Sequence, residues 1–101
     1  MKIFYLTFFV AIIYGQNSNS IMQATAALNA GMYEKALVHI KDAEEEDPTS
    51  PNLYRMKALL HEALNQPKEA LEAWKNCLKY SEDKKVNKQA KNHIKVLSYE
   101  L

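Results

Sequence analysis

The feature that most constrains the fold of this chain is a similarity of the sequence to itself at a distance of about 34 residues, which we call the period. Shifted by one period, Gly31-Met-Tyr-Glu-Lys-Ala-Leu aligns with Asn65-Gln-Pro-Lys-Glu-Ala-Leu. Self-similarity at a fixed distance is typical of repeat architectures, in which each unit buries one of its faces against the next unit. Other aligned pairs are Ala24 and Ala58, Ala36 and Ala70, Leu37 and Leu71, and Ala43 and Cys77.

The composition predicts that the repeated unit is helical. The 101 residues include only 2 Gly and 3 Pro, which argues against a turn-rich β fold. With 48% hydrophobic and 25% charged residues, the chain fits a packed globular class and not a disordered one. The single cysteine excludes an internal disulfide, and the formal net charge of +1 argues against a nucleic-acid groove. We therefore expect one small all-α domain.

Local signals predict where five helices begin and end. Gly31 and Asn65 are suited to the left-handed conformation that ends a helix. Ser50 can cap the third helix, with Pro51 in its first turn, where no backbone N–H is needed. The remaining signals are an N-cap among residues 17–20, a second helix from Tyr33 to Glu46 that stops at Asp47-Pro48, a fourth helix from Pro67, and a fifth capped by Ser81 with Glu82 and Asp83 beside it.

The spacing of apolar residues predicts which face of each helix is buried. The five sets recur at intervals of three and four residues, as expected for helices that pack on one side only. The predicted core residues are, helix by helix, Ile21, Ala24, Ala27 and Leu28; Ala36, Leu37, Ile40 and Ala43; Leu53, Met56, Leu60 and Leu64; Ala70, Leu71, Trp74, Cys77 and Leu78; and Val86, Ala90, Ile94, Leu97 and Leu101.

Residues 1–15 have a different character from the rest of the chain. Lys2 precedes an apolar run from Ile3 to Tyr14, and the sequence turns polar directly after Gly15. A helix of that length spans roughly 18 Å, short of a hydrocarbon core of roughly 30 Å, so we expect a secretory signal peptide over 1–15. The expected product is an exported, periplasmic or secreted domain of residues 16–101. The alternative is an uncleaved anchor that tethers the protein to the membrane through residues 3–14.

A helix, a short turn and a second helix, repeated once in every period, resemble the tetratricopeptide repeat family. The resemblance covers about 17–50 and 51–84, and about 85–101 correspond to the capping helix at the end of such arrays. It implies a short α-solenoid of two repeats and a cap. Tyr54 supplies the aromatic residue expected early in repeat two, where repeat one has Ser20. A five-helix bundle of another kind is the alternative.

The resemblance also implies a concave groove, lined by the first helix of each repeat, that takes a peptide or a partner helix. The family's clamp for a terminal carboxylate is not expected, because Ile21, Thr25 and Met56 stand at its positions. Carried over by position, the groove residues are Ile21, Thr25, Leu28 and Asn29 in repeat one, Asn52, Arg55, Leu59 and Glu62 in repeat two, and Val86, Gln89 and His93 in the cap.

No catalytic or metal-binding motif stands out. His39, His61 and His93 lie on different predicted helices, and none has a second ligand four residues on. We expect His39 and Asp42 to form a surface pair, His61 to be partly buried and hydrogen-bonded, and Cys77 to pack in the core. The chain is therefore expected not to be an enzyme and to hold no metal or cofactor.

Charge is unevenly distributed along the chain. An acidic run, Asp42 and Glu44 to Asp47, ends the second helix, and Lys84, Lys88, Lys91 and Lys95 share one face of the fifth. We interpret both as solvated faces. A contact with a basic partner at the acidic run, or head-to-tail pairing of the two charged ends, is the alternative.

The predicted function is a non-catalytic protein–protein interaction module. We predict a small exported adaptor of the tetratricopeptide type that binds a peptide or helix of an envelope protein in its groove. The alternative is a structural spacer that self-associates or is tethered to the membrane. We expect a protein or peptide partner, allow for a homo-oligomer, expect no nucleic acid, and expect membrane contact only if residues 1–15 are retained.

Overall fold

A computed structural model describes residues 20–101 of the chain, and within that range it contains five α-helices and no strand. The expectation of an all-α fold is confirmed. The expected signal peptide or anchor, and residues 17–19 of the expected first cap, lie outside the described residues. The helices are α1 (Ser20–Asn29), α2 (Tyr33–Glu46), α3 (Pro51–Ala63), α4 (Pro67–Tyr80) and α5 (Lys84–Glu100).

Each helix packs against the next one along the chain, and α1 also contacts α3. Trp74, Leu53, Leu60 and Cys77 are the largest fully buried side chains. Buried alanines stand between them, and because alanine adds little bulk it lets neighbouring helix backbones approach closely. The buried alanines are Ala24, Ala27, Ala36, Ala43, Ala58, Ala70, Ala73 and Ala90.

The turns after α1 and α3 have the same backbone geometry. Gly31 and Asn65, one period apart, have φ angles of +76° and +56°. The Gly31 N–H donates to the Leu28 carbonyl at 3.1 Å, and the Asn65 N–H donates to the Glu62 carbonyl at 3.0 Å. Each following residue, Met32 and Gln66, donates five residues back at 2.8 Å, which completes a Schellman motif. Both predicted helix stops are thus confirmed, and the same turn is built twice.

Burial follows the same period. Ala36 and Ala70, Ile40 and Trp74, and Ala43 and Cys77 are all buried, and the members of each pair are one period apart. The predicted core is confirmed at the majority of its positions. Several predicted core residues are only half-buried and cover the edge of the core: Ile21, Leu28, Leu37, Met56, Leu64, Leu71, Leu78, Val86 and Ile94.

One contact is made with different chemistry in the two halves. In the first half Ser20, which is buried, donates its hydroxyl to Glu46 Oε1 at 2.9 Å. The residues one period later are Tyr54 and Tyr80, whose rings stack with centroids 5.6 Å apart. The Tyr54 hydroxyl also donates to the Pro48 carbonyl at 2.6 Å. A polar pair and an aromatic pair therefore join the same two places in successive hairpins.

Two terminal predictions differ from the structure, and a third is tested only at Ser20. Of the residues expected to cap α1, Ser20 alone is described, and its hydroxyl is bonded to Glu46. The cap of α5 is Asp83, whose carboxylate accepts from Lys85 N at 2.8 Å and Val86 N at 3.2 Å, whereas Ser81 Oγ accepts from Asp83 N in the turn before it. Leu101 follows the end of α5 and is 57% exposed, so it is not a core residue.

The last helix is polar where α3 is apolar. Leu53, Tyr54 and Ala58 are buried in α3. The α5 residues one period later are Asn87, Lys88 and Asn92. Of these, Lys88 and Asn92 are exposed and Asn87 is half-buried. A further helix could therefore not bury its apolar face against this side of α5.

Candidate functional site

The predicted groove residues lie on α1, α3 and α5, and the structure places none of them in the buried core. Asn29 and Asn52 are exposed. The other nine are half-buried, so each presents part of its surface: Ile21, Thr25, Leu28, Arg55, Leu59, Glu62, Val86, Gln89 and His93. Among them Ile21, Leu28, Leu59 and Val86 pack against the core with their remaining surface.

Thr25 and Met56 form the contact between the α1 and α3 parts of this surface. The Thr25 hydroxyl donates to the Ile21 carbonyl at 2.8 Å, within its own helix. The same oxygen lies 3.5 Å from Met56 Sδ. Since the thioether is a weak acceptor, this contact fixes position more than it adds energy. Met56 was predicted both as a core residue and at a clamp position of the groove, and the structure places it half-buried beside Thr25.

Arg55 and Gln89 connect α3 to α5. Arg55 Nε donates to Gln89 Oε1 at 2.9 Å, and the two residues are one period apart. Both residues were predicted to line the groove, and the structure brings them together. The guanidinium has five N–H donors, and this bond uses one of them. The group is thus held in place while keeping donors for a carbonyl or carboxylate of a ligand.

Glu62 is the centre of a second link, which joins α3, α4 and α5. Trp74 Nε1 donates to Glu62 Oε2 at 2.7 Å. His93 Nδ1 lies 2.9 Å from the same oxygen and 3.1 Å from Oε1. The His93 ring also lies against the Trp74 ring, with centroids 4.4 Å apart. Glu62 and His93 were predicted to share the groove, but the part played by the Trp74 indole N–H was not.

Two shallow depressions flank Val96 beside this link. One, of about 220 Å³, is lined by Glu62, Asn92, His93, Val96 and Leu97. The other, of about 180 Å³, shares Glu62, Val96 and Leu97 with it and continues to Asn65, Gln66, Pro67 and Glu100. Val96 is 59% exposed and stands one period after Glu62. That spacing was a signal in the sequence that could have added Val96 to the predicted surface.

The remaining candidate groups are Cys77, His61, and the pair of His39 and Asp42. Cys77 is fully buried, and burial raises the pKa of its thiol, although the Arg55 guanidinium acts in the opposite direction. His61 Nδ1 lies 2.7 Å from Gln66 Oε1 and the residue is half-buried, as predicted. The predicted pair of His39 and Asp42 is wrong. Of the ion pairs in the described range, neither includes these residues, because His39 is half-buried against its neighbours while Asp42 is turned to solvent.

Two features are absent from the described range. No cluster of three or more His, Cys, Asp or Glu in residues 20–101 is arranged to hold a metal ion. No helix in that range has the length and apolar character required to cross a membrane. Comparisons of the chain with protein-family models, with curated proteins and with solved structures found no match.

Proposed function

We propose that the chain is a short array of two tetratricopeptide-type repeats with α5 as its cap, and that it binds another protein without catalysis. The observation that carries this proposal is the repetition of one hairpin at the distance of one period. Helix ends, left-handed turn residues and buried pairs all recur at that distance. A unit that repeats in this way exposes the same face of every first helix, which gives a continuous surface for a ligand.

The proposed binding surface is the side of α1, α3 and α5 that carries the eleven predicted groove residues and Val96. Its apolar members, all partly exposed, are Ile21, Leu28, Leu59, Val86 and Val96. Arg55 and Glu62 stand on either side of Leu59 and are held by Gln89 and His93. A partly apolar strip with fixed polar groups at its edges suits an amphipathic helix or an extended peptide.

The proposal is tested with a photo-crosslinking amino acid placed at Asn52 or at Glu72. Both are exposed, but Asn52 is on the proposed surface and Glu72 is on α4, away from it. The full chain is expressed in its own host, irradiated and purified. A protein partner crosslinked through Asn52 but not through Glu72 supports the proposal. Equal crosslinking at both positions, or none at either, contradicts it.

A variant with Arg55→Glu and Leu59→Asp provides the second part of the test. It reverses the fixed cation and places a charge on the apolar strip, so it is expected to lose the partner captured through Asn52. The matched control is Glu72→Arg with Lys75→Glu, which makes two charge changes on the exposed face of α4. Circular dichroism must show unchanged helicity for both variants. Capture that survives in the groove variant argues against this surface.

We also propose that the protein is exported, on the sequence of residues 1–15 alone. The test is the mass of the protein recovered from the host. A chain that begins near residue 16 supports export and cleavage, and a chain that retains residues 3–14 supports the tethered alternative.

A further inference from the structure

The outer face of α5 is strongly basic. Lys84, Lys88, Lys91 and Lys95 are all exposed and follow one another at intervals of four, three and four residues, so they form one row along the helix. Tyr99, 83% exposed, continues the row. We call these five residues the basic stripe. Within residues 20–101, no carboxylate lies within ion-pair distance of any of its lysines.

The outer face of α2 is predominantly acidic. Glu34, Val38, Asp42 and Glu45 are exposed and follow one another at intervals of four, four and three residues, so they too form one row, the acidic stripe, beside which the exposed Lys41 also lies. Glu44 and Glu46 point elsewhere, because they bond to Lys57 and Ser20. In the described part of the chain, the residues of both stripes are therefore exposed at the surface.

One end of each stripe places charge where its own helix disfavours it. The positive end of a helix dipole is the N-terminus, yet Lys84, Lys85 and Lys88 stand at the start of α5, whose first turn has no acidic residue. The negative end is the C-terminus, yet the last turn of α2 carries three glutamates and no basic residue. Glu34 in the first turn of α2 and Lys95 in the second half of α5 are favourably placed, and Asp83 caps α5. The conflict is therefore confined to the start of the basic stripe and the end of the acidic stripe.

The two stripes do not meet within one chain. α2 packs between α1 and α3, whereas α5 packs against α4, at the other end of the succession of helices. Complementary stripes at opposite ends can meet only between molecules. The start of α5 beside the end of α2 would then relieve both dipole conflicts at once, because each charged group would face the opposite charge.

We propose that a second copy of the chain docks on α5 head to tail, with the basic stripe of one copy against the acidic stripe of the next and the two helices antiparallel. Both stripes span eleven residues between their first and last charged members, or about 16 Å, so their lengths match. In this register Lys84 faces Glu45, Lys95 faces Glu34, and the stem of Lys91 covers Val38. Lys88 then meets Asp42, with Lys41 of the same helix beside it. Tyr99 then reaches Met32, which is also exposed.

Each copy retains one free stripe in such a dimer, so the contact is heterologous and builds rings or open rows. The test is sedimentation velocity on the purified full chain over a range of protein concentrations, at about 50 mM and about 500 mM salt, where screening differs strongly. We expect the average mass to rise with protein concentration at low salt, and the association constant to fall at least tenfold at high salt. A monomer under both conditions overturns the proposal.

Charge reversal identifies the two faces. A basic-stripe variant (Lys88→Glu, Lys91→Glu, Lys95→Glu) and an acidic-stripe variant (Glu34→Lys, Asp42→Lys, Glu45→Lys) should each be monomeric at low salt. Mixed together they should associate again, because each supplies the charge that the other lacks. The matched control, Lys68→Glu with Lys75→Glu, changes exposed residues of α4 outside both stripes and should associate as the unmodified chain does.

Other outcomes contradict the proposal. If the basic-stripe variant dissociates but the acidic-stripe variant does not, α5 meets a different acidic surface. If the mixture stays monomeric, the stripes do not face each other. Circular dichroism must show unchanged helicity for both variants, so that a loss of association reports on the stripes and not on unfolding. Neither stripe contains a groove residue, so failure here leaves the proposed function standing, and the reverse also holds.

Discussion

The indole N–H of Trp74 points at the carboxylate of Glu62, 2.7 Å away, although the tryptophan is fully buried and the glutamate reaches the surface. A buried indole needs a hydrogen-bond acceptor, and here the acceptor comes from the helix that precedes it in the hairpin. The same carboxylate contacts His93 of the last helix. One side chain therefore satisfies a core donor and holds the proposed binding surface together.

Replacing Glu62 by alanine is expected to lower the free energy of unfolding by about 1–3 kcal/mol, the usual cost of leaving a buried donor unpaired. Glu62→Gln keeps an amide oxygen at the same reach and should lose less than half as much. Urea unfolding followed by fluorescence measures both, because Trp74 is the only tryptophan of the chain. Equal losses for the two variants would mean that the Trp74 bond does not contribute.

We expect opposite responses to substitution at Gly31 and Asn65, the two turn residues with a positive φ. Nothing lies within 4 Å of a Cβ added at Gly31, so Gly31→Ala meets no clash. It is nevertheless expected to lose about 1–2 kcal/mol, because alanine disfavours a positive φ. Asn65→Gly removes that conflict at the equivalent position and should be neutral or stabilising. Thermal unfolding of both variants checks this, and a loss from Asn65→Gly would show that its side chain has a role of its own.

Asp83→Ala is expected to cost about 1 kcal/mol, because Asp83 accepts two backbone N–H groups at the start of α5. Ser81→Ala is the matched control, since Ser81 bonds in the turn and not to the helix, and it should cost less. Chemical unfolding compares the two variants. A larger loss of stability from Ser81→Ala would indicate that Ser81 caps α5, as the sequence alone predicted.

Stability is expected to fall at alkaline pH. Burial raises the pKa of the Cys77 thiol above its ordinary value of 9.0, so the folded chain holds this proton more tightly than the unfolded chain does. That contribution is complete below pH 9.0 and is lost as pH rises through the raised pKa. Burial, followed by Glu44, also raises the pKa of Tyr54 above 10.0, with the same sign.

Cys77→Ala separates the two groups. Alanine already stands at the equivalent position, Ala43. The variant should lose the part of the alkaline slope that begins near pH 9.0 and keep the part due to Tyr54. Unfolding free energies measured across this range check the slope. A slope that is identical in the variant would mean that Cys77 does not contribute.

The sequence predicted the helices well because their ends depend on neighbouring residues. The helix ends at Gly31, Asn65 and Ser50 depend on hydrogen bonds to residues no more than four or five positions away, and the structure confirms all three. Asp83 was not distinguished from Ser81, since both have an oxygen that can cap a helix. The choice depends on where α5 begins to pack against α4, which no local pattern specifies.

The surface was harder to predict than the fold. The resemblance to tetratricopeptide repeats placed Arg55 and Gln89, and Glu62 and His93, in one groove on alternate helices, and the structure brings each pair together. The period did not reveal that Trp74 donates to Glu62, because this depends on the rotamer of a side chain on another helix. Val96 stands one period after Glu62, so the period could have added it to the surface, but how far it is exposed depends on how the end of α5 packs against its neighbour.

Asn87, Lys88 and Asn92 stand on α5 where the equivalent residues of α3 are buried. An array of repeated hairpins has no fixed number of units, because a further unit can always pack on an apolar end. An apolar end left uncovered would also bind other molecules nonspecifically. These three polar side chains therefore disfavour the stacking of a further hairpin on this side of α5. Whatever meets this side of the last helix does so through polar side chains and the charge of Lys88, and the same ionic conditions that allow a charged contact can also release it.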